Sequence, residues 1–396
     1  MATAIIRGTG GSGKGLIVDA PVEKIQAGFP VSCGQVLYRD RSKDFTKIVN
    51  PNTLPTGDGN GGAFSPNGNF LAIGHYNSPF ITIYKRSGDT FAKLPNPTTL
   101  PTGVGYRCAF SPDGNFLAVA HLNSPYITIY KRNDDTFTKL ANQVTLPTNT
   151  CYGCAFSPDG NYLAVAHLNS PYITICKRNG DTFTKLANPT TLPTGIGYRC
   201  AFSPDGNFLA VGHDVSPYLT IYKRNDDTFT KLANPVTLPT NTCYGCAFSP
   251  DGNFLAVGHD VSPYLTIYKR NGDTFAKLAN PATLPIGNGR ECAFSPNGNY
   301  LSIVHDQTPF IAIYKRNSDM FTKLANPVNL PTGDGRVCAF SPDGKYLAIT
   351  HLNSPYITIY SLNVFSSSLI NNLTDVHIAL ENGNEYSTVK ANHIEL

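Results

Sequence analysis

Residues 108–150, CAFSPDGNFLAVAHLNSPYITIYKRNDDTFTKLANQVTLPTNT, read as four short strands joined by turns. Strand a is CAFS. It ends in SPDGN, with Pro112 where φ near −65° is wanted and Gly114 where φ must be positive. Strand b, FLAVAH, follows, and LNSP turns the chain into strand c, YITIYKR, whose Ile, Thr and Tyr suit a pleated surface. NDD makes a tight hairpin into strand d, FTKLA, and a longer loop leads to the next strand a. The Ser-Pro of this unit recurs with its serine at Ser65, Ser111, Ser157, Ser203, Ser249, Ser295 and Ser341, each 46 residues after the last. Four antiparallel strands in a unit of this length form one propeller blade, so the pattern predicts an all-β fold, a seven-bladed ring of four-stranded antiparallel blades.

Composition agrees. Gly 35 and Pro 30 in 396 residues, with Tyr 21 and Phe 22, suit many short strands and tight turns better than helices. The net charge of +4 comes from scattered Lys-Arg pairs with no basic run, which argues against nucleic acid as a partner. No stretch approaches the roughly 18 apolar residues of a membrane span, and MATAIIRGTGG lacks the apolar core of a signal peptide, so folding in a cytosol is expected.

The units resemble the WD-repeat class of propeller, whose blades carry a similar FSPDG turn before strand b and an aromatic near the end of strand c. The resemblance covers residues 35–360. Here the aromatic is Tyr84, Tyr130, Tyr222, Tyr268, Tyr314 and Tyr360, with Cys176 in the third copy, and the Gly-His and Trp-Asp dipeptides of that class are missing. The seventh copy stops after strand c at Tyr360, whereas DFTKI (Asp44–Ile48) is a d-like segment that precedes the first complete copy. The N-terminal segment is therefore expected to supply the last strand of the last blade, sending both chain ends out on the face of the c-to-d hairpins, the bottom. GQVLYRD (Gly34–Asp40) also reads as a strand c, which makes eight for seven blades, so one must lie outside the ring.

Residues 1–34 and 362–396 do not fit the repeat and read as short strands, the second segment with a hairpin-like ENGN turn. Ring closure brings their roots together, so we expect one small β-domain made from both termini, with the propeller of residues 35–361 inserted in it. An early AG strand paired with a late IALENGN hairpin is similar to small head-decoration or tail proteins of tailed-phage virions. That resemblance implies attachment to other virion structural proteins, location in a virion assembled in the host cytoplasm, and room for a homo-oligomer.

GTGGSGKG, residues 8–15, comes close to a phosphate-binding loop, but Gly15 stands where a Mg²⁺-binding hydroxyl belongs and a Pro-containing β-like run follows instead of a helix. A basic arm is the better reading. Seven His recur at the end of strand b: His75, His121, His167, His213, His259, His305 and His351. Zinc ligands must meet about 2 Å from one ion, and strand b lies roughly 4.8 Å outside an already open inner ring, so each His is expected to hydrogen-bond within its own blade. The Cys151-x-x-Cys154 and Cys243-x-x-Cys246 pairs sit two blades apart, and most Cys occupy the buried strand a position of Cys108, Cys200, Cys292 and Cys338, so free thiols and no metal or other cofactor are expected.

Variation concentrates on the opposite, top face. One d-to-a loop position carries Tyr106, Tyr152, Tyr198 and Tyr244, then Arg290 and Arg336; after the strand b His stand Asp214, Asp260 and Asp306 on one side of the ring and Tyr76, Leu122, Leu168 and Leu352 on the other. Tyrosines that stack on a sugar face, with Asp and Arg to bond its hydroxyls, form a candidate site for a host-surface glycan or protein. No GxSxG, HExxH or distinctive carboxylate pair appears, so the expected function is a non-enzymatic virion protein that displays a binding propeller. The alternatives are an intracellular WD-like interaction scaffold in the cytoplasm and, ranked below it, a propeller hydrolase.

Overall fold

The computed structural model describes residues 45–362 in full and, outside them, the backbone of five strands: Ala4–Gly8, Leu16–Val18, Val36–Tyr38, Val376–Leu380 and Tyr386–Val389. The chain divides into a unit of Lys47–Leu362 and a unit of the two terminal segments, Met1–Thr46 and Asn363–Leu396. Among the described residues no helix is long and apolar enough to cross a membrane.

The first unit is a seven-bladed β-propeller. Each blade is a four-stranded antiparallel sheet whose strands a to d follow in chain order, as in blade 2: Gly105–Phe110, Phe116–His121, Ile127–Asn133 and Thr136–Lys139. Blade 7 consists of Gly335–Phe340, Tyr346–His351 and Ile357–Leu362, with Phe45–Lys47 as its outer strand. The amide of Ile48 extends that pairing to the carbonyl of Ile359 at 2.9 Å. The surplus segment lies outside the ring, since Val36–Tyr38 pairs in parallel with Leu16–Val18. Ala4–Gly8 pairs antiparallel with Val376–Leu380, which pairs in turn with Tyr386–Val389, so strands from both termini share one sheet. Loop 9–15 and the turn at 381–384 lie outside the described residues.

The core sits between blades. In blade 2 all six residues of strand b are buried, because a neighbouring blade covers each face of the sheet. Phe116, Ala118, Ile127 and Ile129 pack on Leu163, Val165 and Phe183 of blade 3, while Leu71, Ile73 and Phe91 of blade 1 pack on Tyr346, Ala348 and Ile359 of blade 7. The SPDG turn serves this packing twice. Gly114 takes φ +69° while Ser111 Oγ accepts the Phe116 amide at 2.9 Å, and the turn aspartate then pairs with an arginine of strand c in the next blade. Asp113–Arg178 (2.7 Å), Asp159–Arg224 (2.8 Å), Asp205–Arg270 (2.8 Å) and Asp251–Arg316 (2.6 Å) repeat this link, and Asp343–Arg86 (2.9 Å) carries it across the closure.

Buried polar groups are satisfied in the same modular way. The phenol of Tyr130 donates to the carbonyl of Thr99 at 2.9 Å, and five other strand c tyrosines make the equivalent bond. Where the third blade has Cys176, the preceding loop has Gln143 in place of proline, and the thiol donates to its side-chain oxygen at 3.2 Å. The nine described cysteines are free and buried.

Candidate functional site

The strands a of successive blades contact one another in a closed ring, and blade 7 returns to blade 1. Each carries a β-bulge one residue before its end at the top face: in blade 2 Gly105 opposes His121 and Arg107 opposes Ala120, which leaves Tyr106 unpaired. The same slip occurs in all seven blades. A bulge turns an extra side chain out of the ladder, and the extra residues here are Asn60, Tyr106, Tyr152, Tyr198, Tyr244, Arg290 and Arg336. The duplicated local geometry thus makes one ring of seven side chains at the top of the axis.

Four of them form a continuous aromatic arc. Ring centroids lie 5.2 Å apart for Tyr106–Tyr152, 5.5 Å for Tyr152–Tyr198 and 5.0 Å for Tyr198–Tyr244. The Arg290 guanidinium continues the row over the Tyr244 ring at 4.6 Å from its centroid and pairs with Asp306 at 3.4 Å. Burial, followed by the charge of Asp214, pushes the Tyr198 phenol up to about 12. Burial first, and then the neighbouring Arg290, lowers Arg336 from its ordinary value.

The residue after each bulge breaks the sevenfold pattern: Gly61, Arg107, Gly153, Arg199, Gly245, Glu291 and Val337. Long side chains alternate with glycine for a steric reason. A Cβ on Gly153 would lie 3.0 Å from the Cα of Arg199, and one on Gly245 would lie 2.6 Å from the Cα of Glu291, so a bare strand lets each bulky neighbour come close. Arg107 of blade 2, Arg199 of blade 4 and Glu291 of blade 6 then meet across the ring. Glu291 Oε2 lies 2.6 Å from Arg107 Nη1 and 2.9 Å from Arg199 Nε, and Oε1 accepts the Cys292 amide at 3.2 Å. Arg199 Nη1 also donates to the carbonyls of Tyr152 and Tyr198. The glutamate side chain is 1% exposed, against 21% and 14% for the two arginines, so one carboxylate holds two guanidinium groups directly beneath the aromatic rim.

The histidines bond within their blades. Six place Nε2 at 2.9–3.0 Å from a strand c threonine: Thr82, Thr128, Thr174, Thr220, Thr266 and Thr358. Blade 6 departs again. Ala312 replaces the threonine that bonds Nε2, and Ile286 replaces the loop threonine that approaches Nδ1 elsewhere; with Ile286 there, the Nδ1 of buried His305 has no hydrogen-bond partner. Among the described residues no three His, Cys, Asp or Glu side chains gather as a metal site would require.

The expected top-face residues therefore separate into groups. The four tyrosines, Arg290 and Asp306 are joined by direct contacts, and Arg336 lies in the field of Arg290 and Asp306. Asp214 Oδ1 accepts the amide of Ile196 in the d-to-a loop of the same blade at 2.8 Å, and Asp306 Oδ1 makes the equivalent bond to the Asn288 amide at 2.9 Å. The sequence offers no group that breaks the repeat at one place, whereas the structure assembles an asymmetric charged cluster from Arg107, Arg199 and Glu291. Its signal is present in the sequence at the residue before the strand a cysteine, where copies otherwise alike alternate between glycine and a charge.

Residues 154–333 match the family model described as "Lactonase, 7-bladed beta-propeller", a span that contains Arg199, Glu291, Tyr198, Tyr244 and Arg290. This corrects the expectation of a non-enzymatic protein: the matched part of the chain is similar to a family named for an enzyme. The chain is also similar in fold to a solved structure of Kuenenia stuttgartiensis hydrazine synthase, at 18% identity and a TM-score of 0.62, over 80% of this chain and 99% of that one. No curated protein sequence matches the chain.

Proposed function

We propose that the chain hydrolyses a cyclic ester at the top of the ring axis, with Arg107 and Arg199 as the groups that stabilise charge on the ester carbonyl. The observation that carries this reading is the Arg107–Glu291–Arg199 cluster, the main asymmetric charged group at the centre of a repetitive fold. The match of residues 154–333 to a lactonase model supports it. In lactone hydrolysis a water oxygen adds to the carbonyl carbon, negative charge develops on the carbonyl oxygen, and the ring C–O bond breaks. One water proton then passes to the departing alkoxide, and the other to solvent as the hydroxy acid ionises. Donors already aimed at the developing oxyanion are the largest catalytic contribution of such sites.

Arg107 makes its ion pair through Nη1 and Arg199 through Nε, so both guanidinium groups have further N–H donors to offer. Both oxygens of Glu291 are occupied, Oε2 by the arginines and Oε1 by the Cys292 amide, and its part is to hold the two arginines in place. The tyrosine arc supplies aromatic surface for the body of a substrate, as the sequence expectation of glycan recognition requires. Attachment to a virion through the terminal strands is the setting that the sequence resemblance suggests, and the proposal does not depend on it.

The test is a pH-stat assay of the purified full chain on a panel of five- and six-membered lactones. Turnover is expected for at least one, and Arg199→Met should lower kcat by roughly 10²–10³-fold, the effect of removing one oxyanion donor. Absence of turnover on the whole panel, or an Arg199→Met chain as active as wild type, overturns the reading.

A further inference from the structure

The b-to-c loops divide the top face by chemistry. After the strand b histidine, blades 4, 5 and 6 carry Asp214, Asp260 and Asp306, whereas blades 1, 2 and 3 carry Tyr76, Leu122 and Leu168. Tyr76 is 58% exposed and Leu122 37%, and both stand beside the aromatic arc. Burial, then the phenols of Tyr152 and Tyr76, raise Tyr106 from its ordinary value, which puts Tyr76 at that end of the arc. Thr150, two residues before Tyr152, is held between the leucines: its Oγ1 donates to the Leu122 carbonyl at 3.1 Å, and its carbonyl accepts the Leu168 amide at 3.0 Å. The rings of Tyr106 and Tyr152 thus adjoin Tyr76 and Leu122 in one apolar surface, and neither the rim nor the b-to-c position of blades 1–3 carries a charge.

This surface is continuous with the arginine cluster. Arg199 Nη1 donates to the main-chain carbonyls of Tyr152 and Tyr198, so its guanidinium lies under the middle of the arc. A ligand carbonyl held there has the apolar side chains of blades 1–3 on one side and the Arg290–Asp306 pair on the other. Contiguous apolar surface left in water beside a polar site marks the part of a ligand that gains by leaving water. The carboxylates expected to bond sugar hydroxyls stand on the charged side, where Asp214 and Asp306 each commit Oδ1 to a loop amide.

We propose that the ligand is a lactone with an unbranched alkyl chain on its ring, the chain lying over Tyr152 and Tyr106 toward Leu122 and Tyr76. The identity of the ring rests on the lactonase reading, whereas the alkyl seat is a property of the face and is measurable without hydrolysis. A methylene fully withdrawn from water is worth about fourfold in affinity. A chain on an open surface loses about half of its contact with water, so each methylene should contribute about twofold.

Two measurements on the full chain separate the seat from the chemistry. In the pH-stat, kcat/KM for γ-lactones bearing methyl, propyl and hexyl groups should rise about 30-fold from first to last. In calorimetry, 3-hexylcyclopentanone, which has a ring carbonyl but no ester bond to break, should bind at least about tenfold more tightly than 3-methylcyclopentanone. The double variant Tyr76→Ser with Leu122→Ser should cut both preferences at least about fivefold. Met320→Ser, an exposed residue beside a c-to-d hairpin on the opposite face, should leave them unchanged. Circular dichroism of each variant confirms that the ring has folded. Equal affinity for the two ketones, no binding of the hexyl ketone, a hexyl preference that survives the double variant, or a higher kcat/KM for glucono-δ-lactone than for the hexyl lactone refutes the alkyl seat, even where lactones are turned over. Absence of turnover together with a ketone preference that depends on Tyr76 and Leu122 would instead overturn the hydrolytic reading and leave the seat standing.

Discussion

Glu291→Gln tests the centre of the ring most directly. The substitution keeps the shape of the side chain and an oxygen for the Cys292 amide, but it leaves Arg107 and Arg199 facing each other without the carboxylate they share. Removal of one partner from a fully buried ion pair costs about 3–5 kcal/mol. Here the arginine side chains retain 21% and 14% exposure, so water screens part of the repulsion, and a loss of about 2–3 kcal/mol is the appropriate figure. With a urea m-value of about 3 kcal/mol/M for a chain of this size, the unfolding midpoint should fall by slightly less than 1 M. Circular dichroism in a urea series measures it. The double variant Glu291→Gln with Arg107→Gln removes the surplus charge and should recover at least about 1 kcal/mol, as coupled neighbours do. A Glu291→Gln chain that unfolds at the wild-type midpoint would show that the cluster is not the electrostatic centre described above, and would remove the support it gives to the proposed chemistry.

Three further outcomes are expected. Burial lowers His75, His121, His167, His213, His259 and His305 from 6.5 to about 4. Their contribution is therefore complete above about pH 6.5 and is lost as pH falls toward 4, at roughly 1–2 kcal/mol per imidazole by pH 5, which urea midpoints at pH 7.5 and 5 will measure. Ile286→Thr returns to the Nδ1 of His305 the hydroxyl that approaches it in the other six blades, and should raise stability by about 1 kcal/mol in the same assay; a neutral result would mean that the imidazole is already satisfied in solution. Deletion of residues 1–49 strips the outer strand from blade 7 and exposes the edge of Ile357–Leu362, so it should lower the melting temperature and promote association, with an unchanged melt as the contrary result.

The architecture was legible because each blade repeats the same local instructions. Ser-Pro-Asp-Gly sets a turn through the φ preferences of Pro112 and Gly114, the β-branched and aromatic runs set the strands, and the 46-residue spacing sets how many sheets must pack. Even the borrowed strand at Phe45–Lys47 followed from counting, since an incomplete seventh copy needed a partner from the other end. Intrablade bonding by the histidines was accessible for the same reason: one position repeated seven times must do one local job, and where His305 departs, Ala312 and Ile286 record it in the sequence.

Convergence was not legible in that way. Arg107, Arg199 and Glu291 are separated by two repeats each, and their meeting depends on ring closure, on the bulge in every strand a, and on glycines that let the intervening strands approach. Asp214, Asp260 and Asp306 look equivalent in the chain, yet only Asp260 is denied its amide, because the Cβ of Asn241 occupies the space that Gly195 and Gly287 leave open. By itself, then, the sequence determined the blades, their number and their closure, because those follow from short-range backbone preference and periodicity. Which charges face one another at the axis was decided only by the tertiary structure, since the fall of electrostatic interaction with distance acts through space and takes no account of separation along the chain.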